Sequence, residues 1–473
     1  MLTFLRRLKA WAIHLVGWCL IPFSLFLFTL HFLLFHLAAL RRAEALVLPE
    51  KVNFGGTTHI LDSARHRYPE RHIVFTTFRE PHHNPYMPVI WHDTGNVEFI
   101  NLRRFVLDFQ FQGRRAIIPR RRCYDPVARW ILAHMLRWLG KKPVLLTYSK
   151  VFTEQRELPE FCRKDFEEMM VRQSQDPSSH SPAATVYYYL YFYSQCKLSL
   201  KKPSLPPELL TKVDLALLRM RGDRTDVRSC GLYLNPGKKT LDGYCPKAIY
   251  GGPFESYLPA IRFLVSCGYQ VLITGDLSPP MSVLEELDGM LVSSETVELD
   301  PYLYRTYAAL HTDIFAGDIG GGTLFAGLIS DRPILGLNVI PFATAFSNMW
   351  CYYKHAYHRD GTHLSFTEMT GKYVFQAPGD SRFQDDPVAV ETNTADEILE
   401  AVRDYVDEMK KPGSSEIDHS LEDLWPSYSG FHLANCHISP AYVRNYYRKI
   451  ETSRAEKEAG GDRDEARQPE ISA

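Results

Sequence analysis

The chain of 473 residues is long enough for roughly two domains of ordinary size. Its 54 Lys+Arg stand against 55 Asp+Glu, so a net charge of -1 supplies no global field for coating nucleic acid or gathering an acidic substrate. A hydrophobic share of 45% excludes a largely disordered chain, and 30 Pro with 28 Gly are too few for a fibrous or low-complexity one.

From Ala10 to Leu40 no Asp, Glu, Lys or Arg interrupts the chain; Arg6, Arg7 and Lys9 precede this stretch, and Arg41 and Arg42 close it. It exceeds the ~20 residues of a spanning helix and the ~7–15 of a signal-peptide apolar region, and it lacks a small-x-small cleavage site. The expectation is a retained membrane segment over residues 1–45. Pro22 leaves a straight span and a re-entrant hairpin both open, and basic residues at both ends give the positive-inside rule little to act on. A buried core helix is a third reading.

Between Val52 and Tyr148, short apolar runs alternate with turn signals: His72 to Phe75, Pro88 to Trp91, Val97 to Ile100 and Pro143 to Leu146. A helical spacing runs through Val127, Ile131, Leu132, Met135, Leu136 and Leu139. Strands alternating with helices predict an α/β layer architecture, here a domain over residues 50–215. Arg172 to Pro182 reads as a surface loop or linker, and the aromatic run Tyr187 to Tyr193 has no clear period.

A second α/β unit is expected over residues 225–450. It takes strands at Gly231 to Asn235, Tyr269 to Thr274, Asp313 to Gly317 and Pro333 to Leu337, with helices at Phe254 to Ser266, Pro301 to Leu310 and around Leu324, Phe325, Leu328 and Ile329. This order predicts a parallel Rossmann-like sheet, whose ligands bind outside the carboxyl ends of the strands. The charged tail, 451–473, lacks aromatic residues and is expected to be disordered. The nine cysteines (Cys19, Cys123, Cys162, Cys196, Cys230, Cys245, Cys267, Cys351 and Cys436) occur singly, which reads as reduced, core-filling thiols rather than a zinc site or a disulfide framework.

The sharpest motif is Asp318-Ile319-Gly320-Gly321-Gly322-Thr323, between a strand and an apolar helix. Glycines admit close backbone approach, and amides at a helix start present donors and a positive dipole to a diphosphate; the other reading is a plain tight turn. A second glycine loop, Phe54-Gly55-Gly56-Thr57-Thr58-His59, leads into a helical pattern, and there His59 is a candidate base or phosphate ligand, or else a packed histidine. His82 and His83 lie in a proline-bounded loop after a strand, as reserve candidates or as solvated side chains. Arg114, Arg115, Arg120, Arg121 and Arg122 form a basic cluster suited to anionic head groups or to a solvated face.

The order of features in the second half resembles a family of bacterial glycosyltransferases linked to surface-polysaccharide synthesis. The resemblance is carried by Gly268-Tyr269-Gln270-Val271, Gly275-Asp276, Tyr302-Leu303, Phe315 to Gly322, Asp331 to Leu335 with Asn338 and Pro341-Phe342, Leu364 to Glu368, and His437 to Val443. It covers about residues 230 to 375 well. It implies a GT-B architecture: two Rossmann-like domains facing across a cleft, with the nucleotide sugar on the C-terminal one. Gly55 to His59 is similar to the acceptor-side glycine loop of the peptidoglycan N-acetylglucosaminyltransferase. The chain departs from the family's pattern at two places: Leu234-Asn235-Pro236-Gly237-Lys238-Lys239 stands for a His-x-Arg-Asp/Glu segment, and Gly320-Gly321-Gly322-Thr323 for a Gly-x-Ser-Gly loop.

The expectation is a membrane-associated, metal-independent glycosyltransferase with its catalytic domain in the cytoplasm, passing a sugar to a membrane-bound, lipid-linked or polysaccharide acceptor. The nucleotide sugar is its donor substrate, and no separate cofactor or nucleic-acid partner is expected. Donor-binding candidates are Asn235, Lys238 or Lys239, Gly275, Asp276, Asp318, Gly320, Gly321, Gly322, Thr323 and Asn338. The acceptor-side base is His59, with His82 and His83 in reserve. The alternative is a non-catalytic membrane-anchored scaffold or sugar-nucleotide-binding protein with a decayed glycosyltransferase fold; an epimerase of similar fold is a third class.

Overall fold

The computed structural model describes residues 21–47, 68–78, 84–102 except 93, 107–111, 114–118, 121–140, 144–146, 200–235, 251–330, 332–340, 349–371 except 359, 389–411 and 436–465, with isolated positions at 58, 61, 62, 64, 65, 421 and 424. The chain divides into two compact units, Met1–Thr153 and Glu154–Ala473, each an α/β unit around a parallel sheet.

In the first unit, a helix over residues 21–35 (α1) is followed by α2 (Leu37–Arg42) and then by β1 (Ala45–Val47), β2 (Ile73–Phe78), α3 (Met87–His92) and β3 (Val97–Leu102). The antiparallel pair β4 (Leu107–Phe111) and β5 (Arg114–Ile118), α4 (Arg121–Trp138) and β6 (Val144–Leu146) complete it. The main sheet has the order β3-β2-β1-β6 with every pairing parallel. Its core joins Leu25, Phe28 and Phe32 of α1 to Val74, Ile100 and Leu102 of the sheet and to Ala128 and Leu132 of α4.

That packing bears on the described part of the N-terminal segment. One face of α1 serves the core of a folded unit, and among the described residues no helix is long and apolar enough to cross a membrane. Residues 1–20 of the expected segment lie outside the described ones. A correction concerns Pro88 to Trp91, grouped above with the apolar runs taken as strands, which lies inside the helix α3. Proline is tolerated in a helix's first turn, and a run of four apolar residues carries too little period to separate helix from strand.

The second unit opens with α5 (Pro207–Arg221) and β7 (Arg228–Leu234), then a single 3-10 turn (Phe254–Tyr257) running into α6 (Leu258–Ser266). β8 (Tyr269–Gly275), α7 (Met281–Glu286), β9 (Leu291–Val292), α8 (Pro301–His311), β10 (Ile314–Asp318), α9 (Gly321–Ile329), β11 (Ile334–Val339) and β12 (Met349–Tyr353) follow. The chain continues through β13 (His355–Tyr357), α10 (Phe366–Gly371), β14 (Ala389–Glu391), α11 (Ala395–Lys410), β15 (His437–Ile438) and α12 (Pro440–Glu465). α12 therefore runs past Glu451, where the sequence suggested that disorder begins.

Local signals account for the boundaries. Asp300 caps α8 by accepting from the Tyr302 and Leu303 amides, with Pro301 at the first helical position. Thr394 and Glu397 close a reciprocal capping box on α11. α6 stops at Ser266, and Gly268, two residues on, turns the chain away at a left-handed φ of 82°. β8 is buried along nearly its whole length, as a central strand covered on both faces must be. Its one strongly polar inward residue, Gln270, is satisfied: its amide donates to the Gly289 carbonyl at 2.8 Å and its oxygen accepts from Arg221 at 2.7 Å.

The seven-stranded sheet has the order β15-β12-β11-β10-β7-β8-β9, parallel at every pairing. From β7 the chain builds outward through β8 and β9, then returns to β10 on the other side of β7 and builds away through β11, β12 and β15. The order reverses between β7 and β10. In open parallel sheets a crevice for ligands forms outside the carboxyl ends of the strands at such a reversal.

Candidate functional site

The carboxyl ends of β7 and β10 are tied to each other. The Asn235 backbone N–H, just beyond β7, donates to Asp318 Oδ2 at 2.8 Å, and Asp318 is the last residue of β10. The other carboxylate oxygen accepts from the Tyr257 hydroxyl at 2.6 Å and from Asn338 Nδ2 at 2.8 Å. Four separate stretches of chain meet at one carboxylate.

Each partner is held in turn. The Gly251 amide donates to the Asn235 carbonyl at 2.9 Å, and the Gly252 amide to the Tyr257 hydroxyl at 3.1 Å. A Cβ on Gly251 would stand 2.0 Å from Asp318 Oδ2, so only glycine lets this loop close over the carboxylate. Asn338 sits at the left-handed φ of 51° and exchanges two hydrogen bonds with Asn393: each backbone amide donates to the other's side-chain oxygen, at 2.7 and 2.8 Å. That reciprocal pair compensates a conformation that asparagine tolerates better than most residues.

Burial dominates the electrostatics. Asp318 is fully buried, which pushes its carboxyl up to about 6 against the opposing pull of its three donors. Lys354, just past β12, is also buried; loss of hydration brings its ammonium down to about 8, with Asp318 acting in the opposite direction. Lys354 Nζ donates to Thr392 Oγ1 at 3.4 Å.

Above this floor, α9 begins in glycine. Gly320 is extended, no side chain caps the helix, and Gly321 is exposed. The ring of Tyr233 lies along the loop: a Cβ on Gly320 would come within 2.9 Å of that ring, and one on Gly322 within 2.3 Å. Two of the three glycines are therefore demanded by a tyrosine of β7, and the third presents bare backbone at a helix start, where amides and dipole favour an anion. Burial raises the Tyr233 hydroxyl to about 12, with Asp276 and Asp318 adding to the rise. Thr323 is buried, and its hydroxyl donates back to the Asp318 carbonyl at 2.5 Å, locking strand end to helix start.

At the end of β8, Gly275 takes φ 101°, and a Cβ there would stand 2.1 Å from the Leu234 carbonyl oxygen. The half-exposed Asp276 and Arg305 stand 3.7 Å apart, and Arg305 donates to the Gly275 carbonyl at 2.6 Å. The residues singled out in the second half thus divide into two groups. Asp318, Thr323 and Asn338 are buried scaffolding, whereas Gly321 and Asp276 are accessible at the rim.

Sequence reasoning missed Gly251, Tyr257, Lys354 and Asn393, which carry no local motif; Tyr257 lies 61 and 81 positions from Asp318 and Asn338, Asn393 lies 55 from Asn338 and Lys354 lies 38 from Thr392. His59, His82, His83, Lys238 and Lys239 lie outside the described residues, as does Arg120. Arg114 and Arg115 fall on β5, and Arg121 and Arg122 open α4. Among the described residues no group of three or more His, Cys, Asp or Glu could hold a metal ion.

A second buried polar chain lies beside β13. His363 Nδ1 donates to the Leu364 carbonyl at 2.7 Å, which leaves its Nε2 to accept from His355 Nδ1 at 3.0 Å. His355 Nε2 then faces Glu397 at 3.2 Å, and Lys449 stands 3.0 Å from the same carboxylate oxygen. Burial and the neighbouring His355 hold His363 down at about 4.

No family model and no curated protein matches the chain. Among solved structures, it is similar to a glycosyl transferase family 9 protein from Veillonella parvula DSM 2008, at 11% identity over 62% of this chain and 80% of that one, with a TM-score of 0.36. It is also similar to the wall teichoic acid polymerase TagF, at 12% identity over 62% of this chain and 70% of that one, with a TM-score of 0.23. In a further TagF structure the figures are 12% identity, 88% and 90% coverage, and a TM-score of 0.27. At these scores the likenesses carry no argument about activity.

Proposed function

We propose that the chain is a membrane-associated glycosyltransferase that moves a sugar from a nucleotide-sugar donor to a membrane-bound or polysaccharide acceptor. The observation that carries the reading is the reversal of strand order between β7 and β10, at which the uncapped glycine start of α9 stands beside the buried Asp318 cluster, the place where open parallel sheets form a ligand crevice. Such a crevice suits a phosphate ester. Sugar transfer, as the fate of that ester, rests on the sequence resemblance over about residues 230 to 375.

In this reading the donor diphosphate gains negative charge as the sugar leaves it. Amides at Gly320 and Gly321, with the α9 dipole, take up that charge, and Lys238 or Lys239 assists; a divalent ion is then not required. Arg305 and Asp276 stand at the rim of the crevice to contact the rest of the nucleotide. The acceptor hydroxyl needs a base, assigned to His59 with His82 and His83 in reserve.

A second reading is favoured by one feature of the cluster. Asp318, Tyr257 and Asn338 are buried and engaged with one another, so among the described residues these three present no acid or base aimed at a ligand. That suits a protein that binds nucleotide sugars without turning them over. Incubating the purified full chain with a panel of nucleotide sugars and with lipid-linked and oligosaccharide acceptors separates the two. Donor-dependent sugar transfer supports the enzyme; binding by a folded protein with neither transfer nor donor hydrolysis supports the second reading.

A further inference from the structure

The outward face of α1 is apolar, contrary to the rule for a helix packed on the surface of a water-soluble unit. Leu25, Phe28 and Phe32 point into the core, while Phe23, Phe26, Leu30, Leu33 and Leu34, three or four positions apart, form an opposite stripe, with Phe26 63% and Leu34 68% exposed. α4 shares the same core cluster and leaves Trp130 and Trp138 exposed, at 59% and 80%. The exposed Arg41 and the half-exposed Arg42 follow directly at the end of α2.

We infer that α1 lies in the plane of a lipid bilayer, with its outward stripe in the hydrocarbon boundary and Arg41 at anionic head groups. This deepens the membrane part of the reading above by specifying how the chain meets the membrane. Three observations select lipid as the occupant. The stretch of sequence without Asp, Glu, Lys or Arg continues N-terminally from α1 to Ala10. Basic residues bracket it at Arg6, Arg7 and Lys9 and again at Arg41 and Arg42, the arrangement that anionic head groups attract. Exposed tryptophans are the side chains favoured at a membrane–water interface. A helix with one face in a protein core is not surrounded by lipid, as a spanning helix would be.

The test uses the full chain and vesicles of phosphatidylcholine and phosphatidylserine. The fourfold variant Phe23→Gln, Phe26→Gln, Leu30→Gln, Leu34→Gln alters only exposed positions and is expected to melt like the parent, keep nucleoside-diphosphate affinity, and lose vesicle partitioning by at least on the order of 100-fold. Phe26→Trp and Leu34→Trp, read separately by lipids brominated near the head group or near the chain end, are expected to be quenched equally and only by the shallow bromines. Retained partitioning of the fourfold variant overturns the inference, and so does a depth that changes along the helix, as a span requires. Absence of vesicle binding with self-association in lipid-free buffer also overturns it, by assigning the stripe to a second copy. Loss of nucleotide binding in the parent chain would instead count against the function proposed above and leave this result standing.

Discussion

The backbone N–H of Asn235 and the carboxylate of Asp318, 2.8 Å apart, join the two strands between which the sheet reverses its order. The same carboxylate gathers Tyr257 and Asn338, so the strand ends at the reversal are tied together by a group that is too buried to meet a ligand itself. Asp318 is a positioning residue in this account.

Asp318→Asn tests that role through pH. An acid raised from 3.8 to about 6 on folding is protonated in the native state while already ionised in the unfolded one, so native stability falls as pH rises from about 4 to about 6. In urea unfolding, the advantage of the parent over Asp318→Asn should shrink by about 3 kcal/mol across that window and stay level above it. A difference independent of pH would show that the carboxyl titrates normally.

Gly322→Ala should destabilise the fold by about 1–3 kcal/mol, because its Cβ would fall 2.3 Å from the ring of Tyr233. Tyr233→Ala removes the obstacle. A double-mutant cycle by thermal melting should therefore show the glycine substitution costing far less in the Tyr233→Ala background. Equal costs in both backgrounds would remove Tyr233 as the reason for the glycine.

The buried histidine pair makes a prediction of opposite sign. His363, held at about 4, is neutral in the native state, while an unfolded histidine takes up a proton near 6.5; stability is therefore lost as pH falls from about 6.5 to about 4. His355, Glu397 and Lys449 face the same chain of contacts, and Glu397, held at about 2, adds a further loss below its ordinary range. His363→Gln should flatten the melting temperature between pH 6.5 and 4 relative to the parent; an unchanged slope would place the acid sensitivity elsewhere.

Much of the second sheet was legible because its central strands are covered on both faces and read as short apolar runs closed by glycine or aspartate, as at Tyr269 to Gly275 and Ile314 to Asp318. The glycine start of α9 was legible for the same local reason. What could not be read was the convergence: Tyr257 and Asn338 meet Asp318 from 61 and 20 positions away, and Asn393 reaches Asn338 across 55. In α1 the sequence left a span, a re-entrant hairpin and a core helix open, because uniform apolarity does not show which face packs; in the described residues one face serves the core of the first unit.

His59 carries the proposed acceptor chemistry. His59→Ala should lower turnover by roughly 10²–10⁴-fold with donor affinity nearly constant, as removal of a general base does. A raised acceptor Michaelis constant with turnover preserved would make it a phosphate ligand instead. Full activity in a normally folded variant would pass the role to His82 or His83.

The crevice itself is tested most directly by calorimetric titration of the full chain with the diphosphates of uridine, guanosine, adenosine and cytidine, beside Gly321→Val. Gly321 is exposed at the start of α9, so valine there blocks approach to the backbone, and helix propensity does not disfavour valine against glycine. The account predicts saturable binding of at least one diphosphate by the parent and none by Gly321→Val at an unchanged melting temperature. Absence of binding by the folded parent, or equal binding by both proteins, would contradict it.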